Sequence, residues 1–240
     1  MKLTVIGCSP AWPNPGGAQS GYLVETTGGR LLLDCGPGVL ERLRTRESWP
    51  GVDAVVISHF HLDHWGDLVP WIFGASFGPG RDAPRPHLWL PPGGAGTLRS
   101  FGQRLGFAEQ LEQVFELFEY ADGAAFEVAG FEVTPFRLWH YDELTFGFRV
   151  ADGRSTLAYS GDSAPNPNLA ELARDADLFL CEATLAAAEP GDDRGHLSAE
   201  EAIGAFAASG ARRLIVIHRP DELPLDRGVE RAYDGLEVEL

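Results

Sequence analysis

The chain has 240 residues, 44% of them apolar and 22% charged, enough to bury a substantial core. Its 35 acidic side chains outnumber 19 Lys plus Arg, for a formal charge of -16, and Lys2 is the sole lysine. Such a surface disfavours extended contact with RNA, DNA or anionic membrane.

Cys8, Cys35 and Cys181 are scattered in apolar runs, with no paired spacing, so neither a disulfide framework nor a zinc knuckle is indicated. The opening MKLTVIG is too short an apolar run for a signal peptide, and no segment approaches the roughly 20 apolar residues of a membrane span. A cytoplasmic protein is the expectation.

In chain order, short β-rich runs predict strands over 2–6, 20–26, 30–34, 53–57 and 87–90. Further strands are predicted over 131–139, 145–151, 155–159, 177–181 and 213–217. Helical patterns cover 37–46, with Pro37 in its first turn, then 66–74, 96–105, 108–117, 167–174 and 198–209. Ser198 followed by Glu201 is the signature of a capping box at the last of these. TFGFRVADGRSTLAY reads as a hairpin with its turn at Asp152–Gly153. No linker divides the chain, so residues 1–240 are expected to form one domain. RLLLDCGPG, a helix and GVDAVVISH echo STLAYSGDS, a helix and DADLFLCEA; each unit is strand, acid-bearing turn, helix, strand. Two such units imply a pseudo-symmetric body of sheets carrying helices on their outer faces.

The densest chemistry is SHFHLDHWGD at 58–67, directly after the apolar run VDAVVI. A strand ending near Ser58 delivers His59, His61, Asp63 and His64 to a loop at a sheet edge. Imidazole and carboxylate together select Zn2+ or a similar divalent ion, and leaving so many polar groups buried without a ligand is costly. His59 and His61 can turn one way and Asp63 and His64 another, which suits two neighbouring ions.

This H-x-H-x-D-H run resembles the signature of the metallo-β-lactamase superfamily, and later motifs follow in order along nearly the whole chain. The resemblance implies an α/β fold, an αβ/βα sandwich of two mixed sheets flanked by helices, with a two-metal site on the sheet edge. It adds His140, Asp162 and His218 to the set. His59, His61 and His140 would hold one ion, Asp63, His64 and His218 the other, with Asp162 between them. Two divalent ions are therefore expected, Zn2+ first, with Mn2+ or Fe2+ tolerated by the same ligands. A hydroxide shared by the ions would be the nucleophile, and Asp63 could orient it.

GHLSAEEA at 195–202 is similar to an element of the ribonuclease Z and cyclic phosphodiesterase branch, which implies that His196 assists the transition state. Glu182 in FLCEAT resembles that branch's glutamate, whose role would be to hold His196 in its tautomer. Asp34 and the nearby glycines read as turn chemistry, with Ser20 and Tyr22 as candidate substrate contacts. Phe60, Trp65, Trp71, Phe73, Phe77 and Trp139 crowd the ligand segments in sequence; they would serve as core, stack a base, or form a lid or dimer face.

Between His140 and Asp162 there is no room for the tRNA-binding arm of ribonuclease Z. The expected activity is thus a metal-dependent phosphodiesterase acting on cyclic nucleotides or similarly small esters, with a folded nucleic acid disfavoured as partner. A tRNA 3′-end endonuclease and a lactone or thioester hydrolase are the alternatives. A homodimer is expected from the resemblance.

Overall fold

A computed structural model describes residues 1–191 and 194–240. The first half carries strands β1 (Lys2–Gly7), β2 (Gly21–Thr26), β3 (Gly29–Leu33), β4 (Ala54–Val56), β5 (His87–Leu90) and β6 (Glu116–Glu119). Helices α1 (Val39–Arg46), α2 (Leu62–Trp65), α3 (Leu68–Phe77), α4 (Gly94–Leu105) and α5 (Ala108–Val114) connect them. The second half carries β7 (Phe126–Val128), β8 (Phe131–Arg137), β9 (Phe146–Ala151), β10 (Thr156–Tyr159), β11 (Leu178–Glu182), β12 (Leu214–Ile217) and β13 (Glu230–Arg231). Helices α6 (Asn168–Leu172) and α7 (Ala199–Ser209) belong to it, and β14 (Glu237–Glu239) returns to the first sheet.

Two seven-stranded sheets result, ordered β14-β1-β2-β3-β4-β5-β6 and β13-β12-β11-β10-β9-β8-β7. In the first, β14, β1, β2 and β3 pair antiparallel and β3 to β6 pair parallel. The second repeats this plan: β7 to β10 pair antiparallel and β10 to β13 pair parallel. The echo read in the sequence is therefore β3-α1-β4 and β10-α6-β11, equivalent units of the two halves.

Alternation along the strands builds the layers. Leu31 and Leu33 face a core shared with Phe146, Phe148, Leu178 and Leu180 of the other sheet. Leu32, Val55 and Ile57 turn outward to meet Leu43, Trp71 and Leu111 of α1, α3 and α5. Phe179, Cys181 and Val216 likewise meet Leu169, Leu172 and Ala202 of α6 and α7. This is the expected four-layer sandwich of two mixed sheets flanked by helices. Among the described residues no helix is long and apolar enough to cross a membrane.

The structure corrects several sequence expectations. The helix expected over 108–117 stops at Val114, because Glu116–Glu119 pairs in parallel with β5 at the sheet edge. Pro37 lies ahead of α1 rather than in its first turn; Gly38, at φ 92°, precedes Val39. Part of the 58–67 cluster is helical, since Leu62–Trp65 closes one turn, α2. The strand expected over 131–139 ends at Arg137, leaving Leu138 to His140 as the approach to the site.

Candidate metal centre

The candidate side chains sit beyond the carboxyl ends of strands from both sheets. Ser58 and His59 follow β4, His140 follows β8, Asp162 follows β10, Glu182 ends β11 and His218 follows β12. His61 precedes α2, which carries Asp63 and His64. The turn is held against the β3–α1 loop by a hydrogen bond from Cys35 N to His64 O (2.7 Å). Gly36 is required there: a Cβ on it would strike the carbonyl of Asp63.

The seven residues form two groups with one member in common. Ligating atoms of His59, His61, His140 and Asp162 lie within 4.8 Å of one another, as do those of Asp63, His64, Asp162 and His218. Asp162 Oδ2 is 3.3 Å from His64 Nε2, 3.8 Å from His140 Nε2 and 3.9 Å from His59 Nε2; its Oδ1 is 3.6 Å from His218 Nε2. Asp63 Oδ2 lies 3.1 Å from His218 Nε2. All but His61 are buried.

A second layer of partners sets the imidazole tautomers. His64 Nδ1–H donates to Asp34 Oδ2 (2.6 Å) and His140 Nδ1–H to the Gly195 carbonyl (2.6 Å). His218 Nδ1–H donates to Thr184 Oγ1 (2.8 Å), whose hydroxyl donates to Glu182 (3.0 Å). His59 Nδ1 meets Ser58 Oγ at 3.1 Å, and that hydroxyl donates to Asp34 Oδ2 (2.8 Å). With each Nδ1 committed, Nε2 is the nitrogen left to face the centre. His61 is reversed and turns Nδ1 toward His140 Nε2, 2.8 Å away.

The donor set fits divalent cations. His59 Nε2, His64 Nε2 and Asp162 Oδ1 are buried without a hydrogen-bond partner. Each such orphan costs about 1–3 kcal/mol, and a cation among them turns that cost into coordination. The electrostatics agree. Burial opposes ionisation of Asp63 and Asp162, yet His64 and His218 hold both carboxyls below the usual carboxylate range. Burial drives His59 well below an ordinary imidazole and His140 down to about 4, keeping both neutral. Burial also opposes charge on His64, but Asp162, Asp34 and Asp63 outweigh it and push its pKa well up, so ion binding there displaces a proton.

His196 and Glu182 meet beside this centre. His196 Nδ1 donates to Glu182 Oε1 (2.8 Å) and lies 4.0 Å from Asp162 Oδ2. Burial would lower its pKa, but the adjacent Glu182 carboxylate raises it to about 9. Glu182 is fully buried and also accepts from Ser163 N (3.1 Å) and Thr184 N (3.0 Å), so its position is over-determined. A cleft of about 630 Å³ opens above, with His61, Asp63, Asp162 and His196 on its floor.

Other residues singled out from the sequence fall elsewhere. Ser20 and Tyr22 are buried, Tyr22 packs on Tyr159 (4.9 Å) between the sheets, and neither lines the cleft. Trp65 and Trp71 are core residues. Phe60, partly buried, packs on Trp65. Phe73, Phe77 and Trp139 are exposed but lie outside the cleft lining. Asp34 does occupy a tight turn, at φ 59°, yet it is fully buried and accepts from Ser58 N, Ser58 Oγ, His64 Nδ1 and Tyr159 OH. Its anchoring role was missed; the one local signal was an acid directly after an apolar strand. Thr184 was missed as well, having no pattern of its own.

Comparison with known proteins agrees with this architecture. The family described as Beta-lactamase superfamily domain matches residues 29–219. The Bacillus subtilis (strain 168) protein named Probable metallo-hydrolase YhfI is 30% identical over 224 residues, 92% of this chain and 87% of that protein. Its crystal structure superposes with a TM-score of 0.83 at 25% identity, covering 99% of each chain. A ribonuclease Z of Mycobacterium bovis (strain BCG / Pasteur 1173P2) is 29% identical over 197 residues, 75% of this chain and 69% of that protein. Human tRNase Z, short form, shares the fold, with a TM-score of 0.76 at 24% identity over 100% of this chain and 99% of that one. With the matched residues spanning all seven donors and both members of the Glu182–His196 pair, the chain belongs to the β-lactamase superfamily domain family.

Proposed function

We propose that this metal-dependent hydrolase is a phosphodiesterase for cyclic nucleotides or similarly small phosphodiesters. The observation that carries the reading is the Glu182–His196 pair set against the shared Asp162. A lactone or thioester hydrolase has no task for a buried carboxylate–imidazole pair at that place. A phosphodiester does, because its leaving alkoxide needs a proton and its phosphoryl oxygens need a donor.

His59, His61, His140 and Asp162 would hold one ion and Asp63, His64, Asp162 and His218 a second, Zn2+ suiting the imidazole-rich group and Mn2+ or Fe2+ the same donors. Divalent ions bound there supply an activated water and positive charge for the phosphoryl group. The remaining work falls to the chain. Glu182 fixes the His196 ring through Nδ1, which leaves Nε2 to donate to a substrate oxygen at the cleft. Asp63 is kept ionised by His64 and His218, so it accepts a proton or orients a donor rather than giving one up.

Compact substrates are favoured over tRNA on two grounds. The segment between His140 and Asp162 is taken up by the antiparallel hairpin β9–β10, turning at Asp152–Ser155 with Gly153 at φ 81°. The charge of -16 also opposes a folded polyanion. The test is a hydrolysis screen with Mn- and Zn-loaded protein over cyclic mononucleotides, 2′,3′-cyclic phosphates and cyclic dinucleotides, beside precursor tRNA, a lactone and a thioester. Turnover of a small phosphodiester is expected. Preferred cleavage of precursor tRNA, or turnover of the lactone or thioester alone, would overturn the reading.

A further inference from the structure

Two large rings stand in water at the mouth of the cleft. Trp12 is 53% exposed and Tyr141 is 56% exposed, and both line it. Trp12 comes from the loop after β1 and Tyr141 from the loop after β8, so each sheet contributes one ring. Burying such rings is strongly favourable, and the fold forgoes that gain where both border the floor of the cleft.

The backbone that carries each ring is held in place. The nearly buried Gln19 donates through Nε2 to the carbonyls of Pro10 (3.3 Å) and Ala11, the residues just before Trp12. Asn14 closes the other side, its Nδ2 donating to Arg219 O (3.1 Å) and its Oδ1 accepting from Asp221 N (2.9 Å). Tyr141 is a non-glycine residue at φ 48°, a left-handed conformation that costs energy and persists only where the surroundings enforce it. Its ring lies against Gly195, where any Cβ would collide with it, and stands edge-on to His196 (5.8 Å, 84°).

The lining of the cleft also lacks something a phosphate ester would use. Among the described residues that line it there is no lysine or arginine, while Asp63 and Asp162 are present, in a chain of charge -16. Beyond His196 and whatever ions the floor holds, further binding energy for an anionic ester has to come from its uncharged part.

We propose that Trp12 and Tyr141 are specificity-determining residues that grip a planar nucleobase, making the substrate a nucleotide ester rather than a base-free phosphodiester. This rests on the phosphodiesterase reading and narrows it. Trp12 lies outside the residues the family matches and Tyr141 inside them. Rings held rigid before the ligand arrives lose little entropy on binding it.

The test compares wild type, Trp12→Ala and Tyr141→Ala, loaded with Mn2+, on adenosine 2′,3′-cyclic phosphate and on base-free 1-O-methylribose 2,3-cyclic phosphate. Each variant should raise KM for the nucleotide about 10-fold, with kcat held within about 2-fold, and leave KM for the base-free ester unchanged. Equal shifts for both esters, or none, would overturn the clamp. A second measurement does not need turnover: adenosine monophosphate, which has no diester bond to cleave, titrated into Zn-loaded protein should quench tryptophan fluorescence. The quench should vanish in Trp12→Ala and move to higher concentration in Tyr141→Ala. If wild type hydrolyses no phosphodiester of the wider screen, the phosphodiesterase reading fails while the quench still decides the clamp; an unquenched wild type overturns it.

Discussion

His64 and Asp34 stand 30 residues apart in sequence and 2.6 Å apart in space, Nδ1 to Oδ2, both fully buried. Asp34 thereby fixes which nitrogen of His64 faces Asp162, and through Ser58 it reaches His59 as well. One carboxylate orients an imidazole in each donor group. Asp34→Asn keeps the size but presents N–H where His64 Nδ1–H needs an acceptor. Loss of such a partner costs about 10–100-fold in metal affinity. Competition titration against a chromophoric chelator should show that loss, with both sites weakened. Unchanged affinity at both would remove the orienting role.

His196→Ala should keep its full metal content and lose about 10²–10⁴ in kcat on a cyclic mononucleotide, whose leaving alkoxide needs a proton, the range of a positioned proton donor. Glu182→Gln tests positioning rather than contact. The amide can accept from His196 only by turning its NH2 toward Thr184 N–H and Oγ1. A kcat loss with KM unchanged is expected, and a loss confined to KM would argue that Glu182 shapes the cleft instead.

Metal removal should destabilise the fold, because buried orphan atoms on His59, His64 and Asp162 then lack any partner. Ions present at about 1,000 times their Kd contribute about 4 kcal/mol. Chelation is therefore expected to lower Tm by the order of 10 °C at this chain length. Calorimetry with and without chelator measures it, and coincident transitions would count against resident ions.

At the start of α7, Ser198 Oγ accepts from Glu201 N (3.3 Å) and Glu201 Oε2 accepts from Ser198 N (2.9 Å). Burial is the largest single effect on Glu201 and opposes its ionisation, but Arg194 and Ser198 together outweigh it and depress the pKa below the ordinary glutamate value. A carboxyl whose folded pKa is depressed stabilises above the unfolded pKa and loses that contribution as pH falls through the folded value. Glu201→Gln should thus cost up to about 1 kcal/mol at pH 7, and the difference from wild type should shrink as pH falls through the folded pKa, as urea titrations over a descending pH series would show.

Local chemistry was legible where the deciding contacts are close in sequence. The strand at His87–Leu90, the capping box at Ser198 and the Asp152–Gly153 turn could be read from residues two to four apart, because hydrophobic period, caps and turns are short-range effects. The duplicated strand-turn-helix-strand plan was readable for the same reason. Short β13 and β14 could not be read, since two or three residues at a sheet edge carry no period. Glu116–Glu119 continued a helical pattern until an edge strand captured it.

By itself the order of residues determined which groups can ligate a divalent ion and that they follow strands, since side-chain type and apolar runs are written locally. Only the tertiary structure decided the distances: that His59, His140 and His218, drawn from different strands, come to point at Asp162, that Asp34 sits beneath them, and that Trp12 and Tyr141 flank the opening. Those relations depend on packing two sheets face to face. Contacts between residues 30 to 155 positions apart leave no trace in any short window of sequence.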